Sequence, residues 1–484
     1  MEVILNKEFE SSMDEYDYDL VIIGGGAAGF AAATFASELG AKTALINGGL
    51  PLGGTCINVG CVPSKILIEM SNLYYYSQFP QYDSIKGRCA CISEADFAKS
   101  VEEKNKMVEM LREQNYFKPA ESMLNVEYLI GFATFKSANK ISVGEKAYSS
   151  KYFLISTGSR PNIPLIDGLN AVKVLTTKEA LNLSYIPKKL VVIGAGFSGL
   201  EIAQMFHHFG SEVVMIERLP QIAANFEPEL ANELIQALIE EGLDIKLEAE
   251  IQEITQKDKQ IKISMKINGE IQEIIASDLL VTTGVKPNIE KLGLLNTKIK
   301  TDKRGFIIVN DYFQTAEENI YAAGDVVGKM PLETVAAKEG NKAVKNMLIG
   351  EKNIIDYDSI PSAIFTTPQA ALVGIDEEEV MNRYQACSCR TITYNNIPKA
   401  QALKETKGMI KMVIHPETRQ ILGIQIVGRN ATEIITEASI AIHQKMTIDD
   451  IIDVVHVFPT MSEGIKRVAQ AFNRDVSVMA CCVE

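Results

Sequence analysis

Two stretches of this chain repeat one order of events. YDLVIIGGGAAGFAAATFASELGAKTALIN (18–47) reads as an apolar strand, a glycine turn, a helix of small residues and a second apolar strand, and LVVIGAGFSGLEIAQMFHHFGSEVVMIE (190–217) repeats it. The glycines fall in GxGxxG spacing, as Gly24, Gly26 and Gly29 in the first copy and Gly194, Gly196 and Gly199 in the second. One glycine makes the tight turn, one lets backbone approach a pyrophosphate, and one lets the helix pack on the strand with its N-terminus facing the anion. A chain built this way is constrained to two α/β halves, each shaped to hold a dinucleotide. Two dinucleotides in one chain point to electron transfer between a nicotinamide and a flavin.

Each half is expected to close with an acidic residue at the end of its second strand, where a ribose is held, a pattern from which the first half departs. The second half has Glu217 there and the first has Asn47, an amide that can still donate and accept. FLISTGSRPNIP (153–164) and LLVTTGVKPNI (279–289) are alike, and their Thr157, Gly158 and Gly284 are expected at nucleotide contacts where the chain crosses between halves. IYAAGDV (320–326) ends a strand in Gly-Asp, placing the Asp325 carboxylate where it can accept from a flavin's sugar alcohol. The expected organisation is α/β, with a flavin-binding Rossmann-like domain at 1–160 and 287–357 and a nicotinamide-binding one at 161–286. An α+β interface domain is expected at 358–484.

Composition narrows the partners. With 48 Lys plus Arg against 62 Asp plus Glu the net charge is −14, the wrong sign for a phosphate backbone or an anionic leaflet, so neither nucleic acid nor membrane is expected. The N-terminal run has no basic and apolar signal pattern, and no stretch reaches about 18 apolar residues, so a cytoplasmic protein is expected. The 8 cysteines are too sparse for a disulfide scaffold, which makes their positions matter more than their number.

Directly after the first glycine unit comes GGTCINVGCVPSK, with Gly54 and Thr55 before Cys56, then Cys61, and Lys65 one turn later. In helical phase the two sulfurs can close a disulfide, and a helix N-terminus is expected to lower a thiol pKa. On these motifs the chain resembles the pyridine nucleotide–disulfide oxidoreductases, FAD enzymes that include glutathione reductase and dihydrolipoamide dehydrogenase. The resemblance runs from Asp19 to the C-terminus. It implies hydride transfer from nicotinamide to FAD and on to Cys56–Cys61, with Cys61 next to the flavin, Lys65 near flavin N5, Glu201 as its partner and Asp325 on the flavin.

The other end of the chain narrows the substrate. Disulfide reductases of this family carry an acid–base His before Pro-Thr, supplied across a dimer; here HVFPTMSEG puts Phe458 in that place and keeps Glu463. A phenyl ring cannot transfer the proton a departing dithiol requires. The chain ends FNRDVSVMACCVE, and the thiols of Cys481-Cys482 can capture a soft metal ion. This combination resembles the mercuric reductases, in which tail cysteines pass Hg(II) from solvent thiols to the redox pair of the other subunit. Many of those proteins have Tyr at the position of Phe458 and another near Val174, hydroxyls this chain lacks. The resemblance implies FAD, NADH or NADPH as electron donor, thiol-bound Hg(II) as substrate with Cys56, Cys61, Cys481 and Cys482 as its ligands, and a homodimer with shared sites. Glu217 favours NADH. A disulfide reductase with a cysteine relay, or a flavoprotein that sequesters soft metals without turnover, are the competing expectations. Cys89 with Cys91 and Cys387 with Cys389 are spaced to face one way in a strand, a spacing open to an auxiliary metal trap, with buried strand residues the expected reading, and His207-His208 is expected to be a solvated helix end.

Overall fold

A computed structural model describes residues 15–476 apart from 81, 83, 88–91 and 259. The chain divides into two compact units, Met1–Ile66, Val101–Asn162 and Gly284–Ile355 forming the first and Leu67–Ser100, Ile163–Thr283 and Asp356–Glu484 the second.

The first unit is built on a seven-stranded sheet. Strand Tyr18–Ile23 lies parallel to Thr43–Asn47 on one side and to Lys146–Ile155 on the other; Val126–Ile130 and Ile320–Ala322 extend the parallel part. Its apolar strands are covered on both faces, which is why LVII and ALI are continuous apolar runs rather than alternating ones. Strands Ala133–Ser137 and Lys140–Val143 add an antiparallel hairpin. Helix Ala27–Glu38 packs against this sheet through small residues, because Gly29 admits the turn at contact distance: a Cβ there would stand 1.8 Å from the Gly24 carbonyl oxygen.

The second unit contains the other glycine half. Its parallel sheet runs Asp244–Lys246, Glu212–Ile216, Lys189–Ile193, Asp278–Val281, Val174–Leu175, beside an antiparallel three-stranded sheet of 250–276. Gly199 repeats the close approach, its Cβ position lying 2.1 Å from the Gly194 oxygen. The C-terminal part is a five-stranded antiparallel sheet in the order Ser362–Ile364, Gln369–Gly374, Ile421–Gly428, Met409–Ile414, Ser388–Thr393, with helix Ala431–His443 packed on it around Ile424, Ile426, Ile435 and Ala438. The fold is thus α/β with two glycine-turn nucleotide halves and a third, α+β, region.

His208 departs from its expectation as a solvated helix end. It is buried, stacked on Tyr75 at 4.2 Å between ring centroids, and paired through its ring nitrogens with Asn72 and Glu241. The aromatic run after the cysteine segment supplies this cover, a tertiary partner that helix position alone does not reveal.

Candidate active site

The cysteine segment is not one helix. Gly53 and Gly54 both take positive φ (94° and 65°), opening the short helix Gly54–Val59; Gly60 breaks it, and Cys61 starts the helix Cys61–Gln78, with half-buried Lys65 one turn on. A Cβ on Gly54 would meet the Gly26 Cα at 2.7 Å, so glycine at 54 is what lets the cysteine helix lie against the first nucleotide turn. Thr55 and Cys56 ride on that helix.

Cys56 is half-buried and Cys61 exposed, and their thiols are in hydrogen-bond contact. The Cys56 thiol donates to one oxygen of Glu333, and Tyr116 Oη donates to the other at 3.0 Å. Hydrogen bonding to Cys61, then burial, then the Glu333 carboxylate hold the Cys56 thiol far above the ordinary range. For Cys56 this corrects the expectation of a lowered thiol: the sulfur hydrogen-bonds the Cys61 thiol, is largely removed from solvent and faces the Glu333 carboxylate. Burial, followed by Glu333, likewise raises Tyr116. Glu333→Gln removes the charge and should shift Cys56 alkylation by iodoacetamide to lower pH, accelerating it severalfold at pH 8 in the reduced protein. An unchanged pH profile would show that Glu333 does not govern the thiol.

The nucleotide turns carry the features a pyrophosphate needs. Gly24 and Gly194 take φ of 116° and 101°, and the helices beginning after Gly26 and Gly196 have no side-chain cap, leaving their first N–H groups free of intrahelical partners. A Cβ at Gly196 would meet nothing within 4 Å and one at Gly26 only the Gly54 Cα at 3.8 Å. Asn47 Oδ1 accepts from Gly25 N–H at 3.3 Å and Glu217 accepts from Ala195 N–H at 2.7 Å, so amide and carboxylate occupy equivalent places. Thr157 Oγ1 donates to the Asn288 carbonyl at 2.7 Å; Gly158 and Gly284 have positive φ and open space beside them. Ser159 Oγ donates to Asp325 at 2.7 Å, while burial holds the Asp325 carboxyl above its usual range. A cavity of about 400 Å³ lies between Ala27, Phe30, Ile57, Tyr116 and Glu333. Open glycine turns, uncapped helix starts and this cavity fit a flavin nucleotide in the first unit; the open Gly196 turn fits a nicotinamide nucleotide in the second.

Glu201 is buried in the second unit and accepts from Phe365 N–H at 3.0 Å. Glu463 starts helix Glu463–Gln470 and accepts from Thr460 N–H at 3.3 Å. His456 is engaged elsewhere: its Nε2 pairs with Glu437 at 2.8 Å, which raises its pKa, while Phe458 is half exposed. Cys481, Cys482, Cys89 and Cys91 lie outside the described residues. Sequence reading missed Glu333 and Tyr116, each distant along the chain from the cysteines and without a spacing signal, and passed over Asn288, which lies within the LLVTTGVKPNI segment four residues after Gly284.

A pair of adjoining cysteine thiols beside a nucleotide turn, on a fold with two such turns, defines a flavin- and nicotinamide-type oxidoreductase. The chain belongs to the pyridine nucleotide-disulphide oxidoreductase family, which matches residues 18–340, with that family's dimerisation domain at 360–469. It is 35% identical over 482 residues to the mercuric reductase of Lysinibacillus sphaericus, covering 100% of this chain and 87% of that one. The mercuric reductase of Staphylococcus aureus is 36% identical, covering 98% and 86%. The mitochondrial dihydrolipoyl dehydrogenase of Pisum sativum is 35% identical, covering 96% and 93%. Among solved structures, the Cu(II) complex of the HOCl-induced flavoprotein disulfide reductase RclA from Escherichia coli superposes with TM-score 0.83 at 26% identity, covering 94% and 99%. The family uses FAD and a pyridine nucleotide. Among the described residues no helix is long and apolar enough to cross a membrane.

Proposed function

We propose that the protein is a cytoplasmic mercury(II) reductase: NAD(P)H + H⁺ + Hg(SR)₂ gives NAD(P)⁺ + Hg(0) + 2 RSH. The observation that carries this reading is Phe458 at the acid–base position of a chain that also carries the vicinal pair Cys481-Cys482. A soft ion brings its own Lewis acidity and is held by thiolates, so its capture does not require the proton donor that a phenyl ring lacks. The full-length likeness to mercuric reductases supports it.

When bound, FAD supplies a two-electron relay between nicotinamide and thiols. The chain's own groups do the rest. The Gly24–Gly29 turn and the N-terminus of helix Ala27–Glu38 hold the flavin's pyrophosphate, with Asn47, Gly54, Thr55, Thr157, Gly158 and Asp325 along the flavin nucleotide. Gly194, Gly196, Gly199, Glu217 and Gly284 hold the nicotinamide nucleotide. Cys481 and Cys482 take Hg(II) from solution thiols and pass it to Cys56 and Cys61, with Lys65, Glu201 and Glu463 as supporting groups. Glu333 accepts the Cys56 proton as the thiol becomes a metal ligand.

Anaerobic nicotinamide oxidation separates the readings. HgCl₂ with excess thiol should drive continuous oxidation and release volatile mercury, while glutathione disulfide and lipoamide should be poor substrates. Efficient lipoamide turnover would favour the disulfide-reductase reading, which the likeness to the pea dehydrogenase supports. Consumption that stops at one or two ions per chain would mean sequestration.

Glu217 also sets the expected donor. A carboxylate about 4 Å from a 2′-phosphate costs about 1–4 kcal/mol, depending on the effective dielectric. NADH should therefore have the higher kcat/KM, although exposed Arg218 is placed next along the chain. A much higher kcat/KM with NADPH would overturn this assignment of Glu217.

A further inference from the structure

Among the described residues, one group outside the redox pair brings three potential metal ligands together: Glu377, Cys387 and Cys389, whose ligand atoms all lie within 4.8 Å of one another. The cysteines flank Ser388 at the start of the edge strand Ser388–Thr393, so alternation turns both sulfurs to one face. Glu377 reaches that face from the start of the helix Glu377–Tyr384. All three are half-buried, and the contacts are specific: the two thiols hydrogen-bond each other, and Cys389 hydrogen-bonds Glu377.

We propose that Cys387, Cys389 and Glu377 form a binding site for a thiophilic divalent d¹⁰ cation, separate from the redox cysteines. Two ligands held about 2.3 Å from a tetrahedral ion stand about 3.8 Å apart, so the triad needs to contract by at most about 1 Å. Two sulfurs and one carboxylate oxygen suit such an ion and leave a fourth position for water. The surrounding charge favours a cation. Buried Lys411 is bonded to Glu227, to Glu229 at 2.9 Å and to Glu377 at 2.8 Å, one ammonium among three carboxylates. An open cleft of about 560 Å³, lined by Leu219, Phe226, Glu227, Glu377 and Met381, gives the site a route from solvent through Glu377. Both thiols bind the ion as thiolates, so their protons leave as it enters.

The test uses the full-length, FAD-loaded protein under reducing conditions with Cd(II) as probe. After equilibrium dialysis the parent should retain one more Cd(II) per chain than Cys387→Ser/Cys389→Ser, and it alone should show a cadmium NMR signal of mixed sulfur and oxygen coordination. Flavin content and nicotinamide oxidation should be equal in the two proteins. Glu377→Gln should weaken that ion by roughly tenfold or more, the cost of losing even a supporting partner. Equal Cd(II) retention by parent and double variant overturns the site. If the double variant loses flavin, Glu377→Gln decides alone, and unchanged affinity and signal there overturn it.

Discussion

Replacing Cys56 and Cys61 together by alanine should abolish mercury-dependent nicotinamide oxidation, a fall of roughly a thousandfold or more, as expected when the groups that bind and reduce the substrate are removed. Each single replacement should do nearly the same, because two sulfurs acting as one unit are not additive. The fold should survive, since Cys61 is exposed and Cys56 only half-buried, and neither fills a core. Flavin absorbance per chain and the anaerobic oxidation rate check both halves of this expectation. Undiminished mercury release by the double variant would remove the pair from the proposed reaction. Glu333→Gln supplies the contrast, because it leaves both sulfurs in place and removes only the carboxylate that Cys56 and Tyr116 share.

How much of this was legible in the sequence follows from how local each constraint is. Gly24, Gly29, Gly194 and Gly199 announce themselves because the turn they form excludes a side chain: at Gly29 and Gly199 a Cβ would stand 1.8 Å and 2.1 Å from the carbonyl of the first glycine. Asn47 is unusual as a residue type but not as a group, since its amide oxygen accepts the same N–H in its half that the Glu217 carboxylate accepts in the other. The state of Cys56 was not legible. Its proton is held by hydrogen bonding to Cys61, by burial and by Glu333; the fold brings Glu333, itself bonded to Tyr116, to the sulfur from far along the chain, and no periodicity marks either residue. Strand alternation placed Cys387 beside Cys389, but the third group of that cluster comes from a preceding helix.

The shared site is the other all-or-none expectation. Residues 360–469 match the family's dimerisation domain, and within them Val455, Val457 and Phe458, on either side of His456, are 85%, 75% and 50% exposed, apolar side chains that a second copy of the chain would cover. In a two-fold dimer each tail meets its partner by the same operation, so one chain's Cys481-Cys482 can serve the other chain's Cys56–Cys61 at both sites. Two inactive proteins then test the arrangement, Cys56→Ala/Cys61→Ala and Cys481→Ala/Cys482→Ala, assayed with limiting thiol. Alone, each lacks one half of every site. After subunit exchange of equal amounts, half of the dimers are mixed, and each mixed dimer joins one intact redox pair to one intact tail from the other chain. Activity should therefore rise from nothing to about one quarter of the parent's. Were each chain to use its own tail, every chain in the mixture would still lack a pair, and verified heterodimers would stay inactive.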